Sequence, residues 1–503
     1  MPIVLACGKP ILGSIVNFHV SENEVFDVVI VGNGALGLSL AVTLSERGQR
    51  VALVGEPHRA GAASTAAGAM LGAFGEVTST LLLSEYGKAK HDLAVRATKL
   101  WDDWLAKIAD RADGGDGRDI VTADGTFVIL NTVGVPGIDD ANYAAIRESL
   151  IEYDEPFEDI APTEIDWLDP EATSRPQLAM RLPHEHAVDA AALLRRLEQA
   201  VTRHGGTLVP DLAVGLDHHN SKMDGVTLAS GVRLSAPIVV LAGGARTQEL
   251  LDTLPEVSGR IPRLISGYGV STLVDTEDGT GPRSVIRTPN RAFACGLHVV
   301  PRGEGQVYVG ATNILSVEPR TTPLISDVQF LLGCVTRQVR RNLSEGGIAK
   351  IQVGNRPVAL DGFPLLGEAG PSGLWLMTGT YRDGLHLSPL LAEEMTRRIL
   401  GEPGKLDLDV FQPVRAPLAG MSREETIETA VTHMLATGYE YDWNVPVEWP
   451  YLIEHNLRQS YTRVAEELDP QFTPPPEILA GLRIRPNLDK ALREYYAASR
   501  ASA

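Results

Sequence analysis

The residues best suited to chemistry near the start of this chain are three glycines, Gly32-Asn-Gly34-Ala35-Leu36-Gly37. They follow a β-branched run, Asp27-Val-Val-Ile-Val31, and precede an amphipathic stretch that ends at Gly48. Gly32 permits a tight turn, Gly34 lets backbone approach a pyrophosphate, and Gly37 lets a helix pack closely on a strand. The N–H groups at the start of that helix then face the phosphate charge. The pattern predicts a buried strand over 27–31, a helix over 36–47 and a second strand over 50–54. This unit binds a dinucleotide, and the motif alone does not separate a flavin from a nicotinamide. The acid that holds the ribose hydroxyls usually ends the second strand. Here that place is Gly55, which offers backbone contacts alone, and Glu56 follows one position late as the ribose candidate.

Further along, Ala63-Ser64-Thr65-Ala-Ala-Gly-Ala69-Met70-Leu71-Gly-Ala73 has no bulky side chain before Met70. Such a backbone can lie against a flat ring system, while the Ser64 and Thr65 hydroxyls can donate to phosphate. A helix is expected over 190–204, ended by Gly205-Gly206, with a strand at Leu212-Ala-Val214. Ile238-Val-Val-Leu-Ala242-Gly243-Gly-Ala245 reads as a buried strand running into a glycine loop.

The elements that must position these residues come from a chain of 503 residues with 44% apolar and 22% charged residues, a globular balance and enough length for more than one domain. No apolar run approaches a membrane span. A formal net charge of −19 repels phosphate backbones, so nucleic acid is not an expected partner. Cys7, Cys295 and Cys334 have neither metal-ligand nor disulfide spacing; they read as buried small apolar residues in a reducing cytoplasm, and no metal site is expected. The opening 18 residues lack a basic leader and carry Pro10 and Gly13, which suggests a short packed extension and not a signal peptide.

Taken in order, these stretches resemble the glycine oxidase and D-amino acid oxidase family of flavoproteins. The likeness continues through His186-Ala-Val-Asp189, Leu297-His298-Val-Val-Pro-Arg302 and Gln306-Val-Tyr-Val-Gly-Ala-Thr312. It is most specific in Gly354-Asn-Arg356-Pro357, Asp361-Gly-Phe-Pro-Leu-Leu-Gly367 and Gly379-Thr-Tyr381-Arg382-Asp383-Gly384-Leu385-His386. The resemblance spans roughly residues 26–415. It implies an α/β fold: a Rossmann-type FAD-binding domain from 1–100, 180–265 and 350–415, and a sheet-rich substrate domain from 101–179 and 266–349. A mainly helical extension would occupy 416–503, with helices over 423–435, 450–468 and 487–496. Its dense aromatics, Trp443, Trp449, Tyr451 and Tyr461 with Leu452, suggest that it folds back onto the body.

The resemblance also implies roles. FAD would be held without a covalent link, with Val214 giving backbone contacts to adenine and Ala242, Gly243 and the 379–385 turn clasping the flavin. Arg356 and Arg382 stand where relatives grip a substrate carboxylate, a task that suits the planar guanidinium fork. His298 replaces a substrate-facing tyrosine and adds a group able to titrate near neutral pH. His386 reads as structural. The implied activity is oxidation of a small amino acid or N-substituted glycine to an imine, with O2 reduced to H2O2. Alternatives are a dehydrogenase using another acceptor, a hydroxy-acid oxidase, or a flavin-binding partner without turnover. A homo-oligomer is possible on this reading.

Overall fold

The computed structural model describes residues 25–109, 116–291, 296–441 and 443–502. The opening extension, Cys7 and Cys295 lie outside them; Cys334 is buried.

Strand β1 (Val28–Val31) and strand β2 (Val51–Val54) are fully buried aliphatic runs, and they pair in parallel. Between them helix α1 (Ala35–Glu46) packs in the core, followed by Gly48 at φ +77°. Burial on both faces explains why these strands carry no polar alternation. A six-stranded sheet runs in the order 365–368, 374–378, 238–241, β1, β2, 207–209. It is parallel except for the antiparallel pair formed by 365–368 and 374–378. Its dinucleotide turn follows β1 at the centre, where the strand order reverses.

A second sheet of nine strands is mostly antiparallel. Its backbone is the long strand Leu264–Asp275, paired along its length with Gly347–Ala359. His298–Gly303 and Gln306–Gly310 pair antiparallel within this sheet. A small antiparallel sheet holds Ala213–His219, so Val214 lies at the start of its strand. The helix expected over 190–204 spans Ala190–Arg203, and the Asp189 carboxylate caps it by accepting from the Ala192 N–H at 2.6 Å.

Beyond residue 416 the chain is helical: Arg423–Glu440, Trp449–Leu468, Pro476–Gly481 and Pro486–Ser502. Ser422 and Glu425 close a capping box at the first of these. The helices dock through one apolar cluster in which Ile427, Val431, Tyr461, Ile478, Leu492 and Tyr496 meet Ile265, Leu315, Val358 and Leu360 of the body. The aromatic reasoning is corrected in part. Tyr461 is buried, but Trp449, Tyr451 and Leu452 are 52%, 76% and 61% exposed, because the helix they open turns only its later residues inward.

Candidate active site

The carboxyl ends of β1 and of strand Ile238–Leu241 open onto a cleft of about 550 Å3, within the range of cofactor sites. Gly32 adopts φ +119°, and a β-carbon there would meet the Ala242 carbonyl at 2.4 Å. At Gly37 a β-carbon would sit 1.8 Å from the Gly32 carbonyl oxygen, so the close helix–strand approach is real. The Ser64 hydroxyl reaches the helix N-terminus and accepts from the Ala35 N–H at 3.1 Å.

Most residues expected at the cofactor line this cleft: Gly32, Gly34, Ala35, Leu36, Gly55, Glu56, Ser64, Ala69, Met70, Ala242, Gly243 and the 381–385 segment. Gly37 stands behind the turn as a packing residue. Thr65 turns away, since its hydroxyl donates to the Ala62 carbonyl at 2.9 Å within a 3-10 turn. Leu71 is in the core, and Gly379 serves the backbone at φ +71°. Val214 is 47% exposed and off the wall, which its neighbours Leu212 and Ala213 line instead. The Glu56 carboxylate lies at the wall in an ion pair with Arg246 at 3.2 Å.

At the other end of the cleft two guanidinium groups converge although 26 positions separate them in sequence. Arg356 lies on Gly347–Ala359, and the Tyr381 N–H donates to the Pro357 carbonyl at 2.9 Å, hanging the 379–385 turn on that strand. Arg356 Nη1 donates to the Thr312 carbonyl at 3.2 Å and to Asn313 Oδ1 at 3.3 Å, while the Asn313 amide donates to the Tyr381 hydroxyl. Arg382 stacks over the Tyr381 ring at 5.0 Å and approaches Glu76 at 3.8 Å. Tyr381 itself holds φ +54°, a strained value for a residue with a side chain.

His298 lines the cleft and stacks on Tyr308 at 5.7 Å, its Nδ1 hydrogen-bonded to the Gly296 carbonyl at 2.7 Å. The expectation that it titrates near neutral pH is overturned. Burial and the nearby Arg287 charge lower its pKa to about 4, so the ring is neutral. His386 is buried, and its Nε2 hydrogen-bonds the Ala94 carbonyl at 2.9 Å, consistent with a structural role.

Sequence reasoning missed a charged cluster in the same wall. Arg287 is 2% exposed and pairs with Glu76 at 2.7 Å. Burial alone would raise the Glu76 carboxyl, but Arg287 and Arg382 outweigh it and hold the group well below the carboxylate range. Glu185 accepts from the Phe74 N–H at 2.6 Å and the Gly75 N–H at 3.1 Å, fixing the loop that carries Glu76. Burial pushes its carboxyl up to about 7 against those bonds and Arg287. The available signal was a charge inside an apolar strand, Val285-Ile-Arg287, since an arginine there must find a partner. Among the described residues no cluster suits a metal ion, and no helix is long and apolar enough to cross a membrane.

A glycine-turn βαβ unit whose cleft is lined by Arg356 of the antiparallel sheet and by Arg382 of the 379–385 turn fits a dinucleotide-dependent oxidoreductase. The family described as FAD dependent oxidoreductase matches residues 27–398, and the chain belongs to it; its cofactor is FAD. The bifunctional ThiO/ThiG protein of a Nostoc species is 28% identical over 372 residues, 73% of this chain and 51% of that protein, so the chain spans about half of its length. The glycine oxidase of Geobacillus kaustophilus is 26% identical over 379 residues, covering 73% of this chain and 90% of that protein. In fold, the crystal structure of that glycine oxidase aligns with TM-score 0.64 at 22% identity, over 78% of this chain and 99% of that one. The iminodiacetate oxidase of a Chelativorans species aligns with TM-score 0.64 at 19% identity, over 78% and 100%.

Proposed function

We propose that the protein oxidises the C–N bond of a small amino acid or N-substituted glycine to an imine. The carrying observation is the convergence of Arg356 and Arg382 around Tyr381 at one end of the cofactor cleft. A carboxylate between two guanidinium groups is held by charge-assisted hydrogen bonds, which fixes the neighbouring carbon in one place. FAD, bound without a covalent link, supplies the hydride acceptor. Neutral His298 and the small residues 66–69 shape the chamber around the reacting carbon without adding a competing charge. Glu76 keeps Arg382 oriented. On this reading O2 takes the electrons and leaves as H2O2, and the enzyme works in the cytoplasm.

The same reading divides the chain into a cofactor domain and a substrate domain. Because Gly347–Ala359 pairs throughout with Leu264–Asp275, their last boundary is better drawn near residue 360 than at 350.

Mixing the anaerobic holoenzyme with glycine, sarcosine, D-alanine, longer N-alkylglycines and lactate tests the proposal. Amines that carry a carboxylate should bleach the flavin, and admitted air should restore its colour with release of peroxide. Bleaching by lactate alone, or by none of the panel, would refute amine oxidation. Bleaching without recovery in air would assign the electrons to another acceptor.

A further inference from the structure

The family match ends at residue 398, so the helices from Arg423 onward are an addition to the family's domain. They do more than cover the body. A second cavity of about 200 Å3 lies between them and the flavin-clasping turn. Gly72, Glu76, Tyr381, Arg382 and Asp383 line both this cavity and the cofactor cleft, so the turn bearing Arg382 is the wall they share. The opposite wall belongs to the extension: Met421, Thr429, His433, the proline run 474–476 and Glu477. This wall is held firmly. At the junction the Tyr495 hydroxyl donates at 3.4 Å to the carbonyl of Arg415, whose side chain pairs with Asp361 at 2.8 Å within the body, and within the extension Arg423 donates to the Asp469 carbonyl at 2.7 Å.

The cavity volume is many times the roughly 10–15 Å3 needed for one water, so it accommodates a group of several heavy atoms. Leu315, Phe363, Met421 and Ile478 give it apolar sides. Its carboxylates are mostly paired: Glu76 with Arg287 at 2.7 Å, Asp383 with Lys90 at 2.9 Å and Asp361 with Arg415. Glu477 lines the cavity half-buried and forms no ion pair among the described residues. Burial lowers the pKa of His433 and pushes that of His91 down to about 4, so neither ring offsets this charge at neutral pH. Glu477 is therefore the lining carboxylate that has no ion-pair partner among the described residues.

We propose that this cavity is the subsite for the arm of the amine substrate remote from the reacting C–N bond, and that it selects an arm with an apolar stem and a cationic end facing Glu477. The inference rests on the amine-oxidation reading above. It makes the extension a specificity element: the body grips the carboxylate, and the added helices read what lies beyond the nitrogen.

Three N-substituted glycines with arms of similar length test it: N-pentylglycine, N-(4-aminobutyl)glycine and N-(3-carboxypropyl)glycine. Each is measured on the wild-type holoenzyme and on Glu477→Gln and Glu477→Lys, by the rate of anaerobic flavin reduction and by Kd from perturbation of the flavin absorbance. The wild type should favour the aminobutyl arm over the pentyl arm by roughly tenfold, the scale of one charge-assisted hydrogen bond. Glu477→Gln should erase that preference, and Glu477→Lys should shift it to the carboxypropyl arm. The same ranking in all three proteins, or a wild type that favours the anionic arm, would overturn the subsite. If none of the amines reduces the flavin, the oxidation reading falls, while the order of Kd values still decides the subsite.

Discussion

Glu185 offers the sharpest test of the electrostatics behind the flavin cleft. It is 5% exposed, holds the Phe74–Gly75 backbone, and has its carboxyl raised from 4.5 to about 7 by burial. A raised acid binds its proton more tightly in the folded chain than in the unfolded one. Its penalty is therefore absent below about pH 4.5, grows as pH rises through the window to about 7, and is complete above it. That displacement corresponds to roughly 3 kcal/mol, with the Arg287 attraction and the two N–H bonds already included in the final value. Glu185→Gln keeps an oxygen for the Phe74 and Gly75 N–H groups but cannot ionise. The new amide N–H groups add an offset that does not vary with pH, so the slope carries the information. Urea unfolding of the wild type and the variant between about pH 4.5 and pH 8 should show the variant gaining on the wild type by about 3 kcal/mol across that range. Parallel stability curves would refute the reasoning, since they would mean that Glu185 does not change its proton occupancy on folding.

Other perturbations follow from single contacts. Gly37→Ala places a β-carbon 1.8 Å from the Gly32 carbonyl oxygen, so α1 must shift. Stability should fall by about 1–3 kcal/mol and the FAD-to-protein ratio should drop, as absorbance would read; full cofactor retention would contradict the close approach. Arg356→Ala should lower kcat/KM for carboxylate-bearing amines roughly a hundredfold while FAD content stays constant, and an unchanged value would remove Arg356 from the site. Leu492→Ala empties a fully buried position in the cluster that docks the extension and should cost about 2–5 kcal/mol. Its thermal midpoint should fall, and trypsin should cut within 423–502 before the body; intact resistance would show that this cluster does not hold the helices.

What could be read from the residues alone was whatever depends on neighbours in sequence. The β1–α1–β2 unit was legible because a β-branched run, spaced glycines and a helical period all act locally, and each needs only its own few residues. The ordered motifs from residue 26 to 415 indicated the family and the flavin for the same reason. Arg356 and Arg382 could be named individually, but their convergence depends on the Tyr381–Pro357 hydrogen bond and on Asn313, contacts that no spacing rule encodes. The protonation of His298 was misjudged because a side chain's composition does not reveal its burial or the Arg287 charge beside it. Glu76, Glu185 and Arg287 were passed over because each stands alone in its own stretch. Three distant segments meet only in the folded chain, and desolvation then makes their pairing matter. The extension divides in the same way: its helices follow from local pattern and capping, whereas which faces dock, and that Glu477 lines one cavity with the Arg382 turn, are decided by tertiary packing.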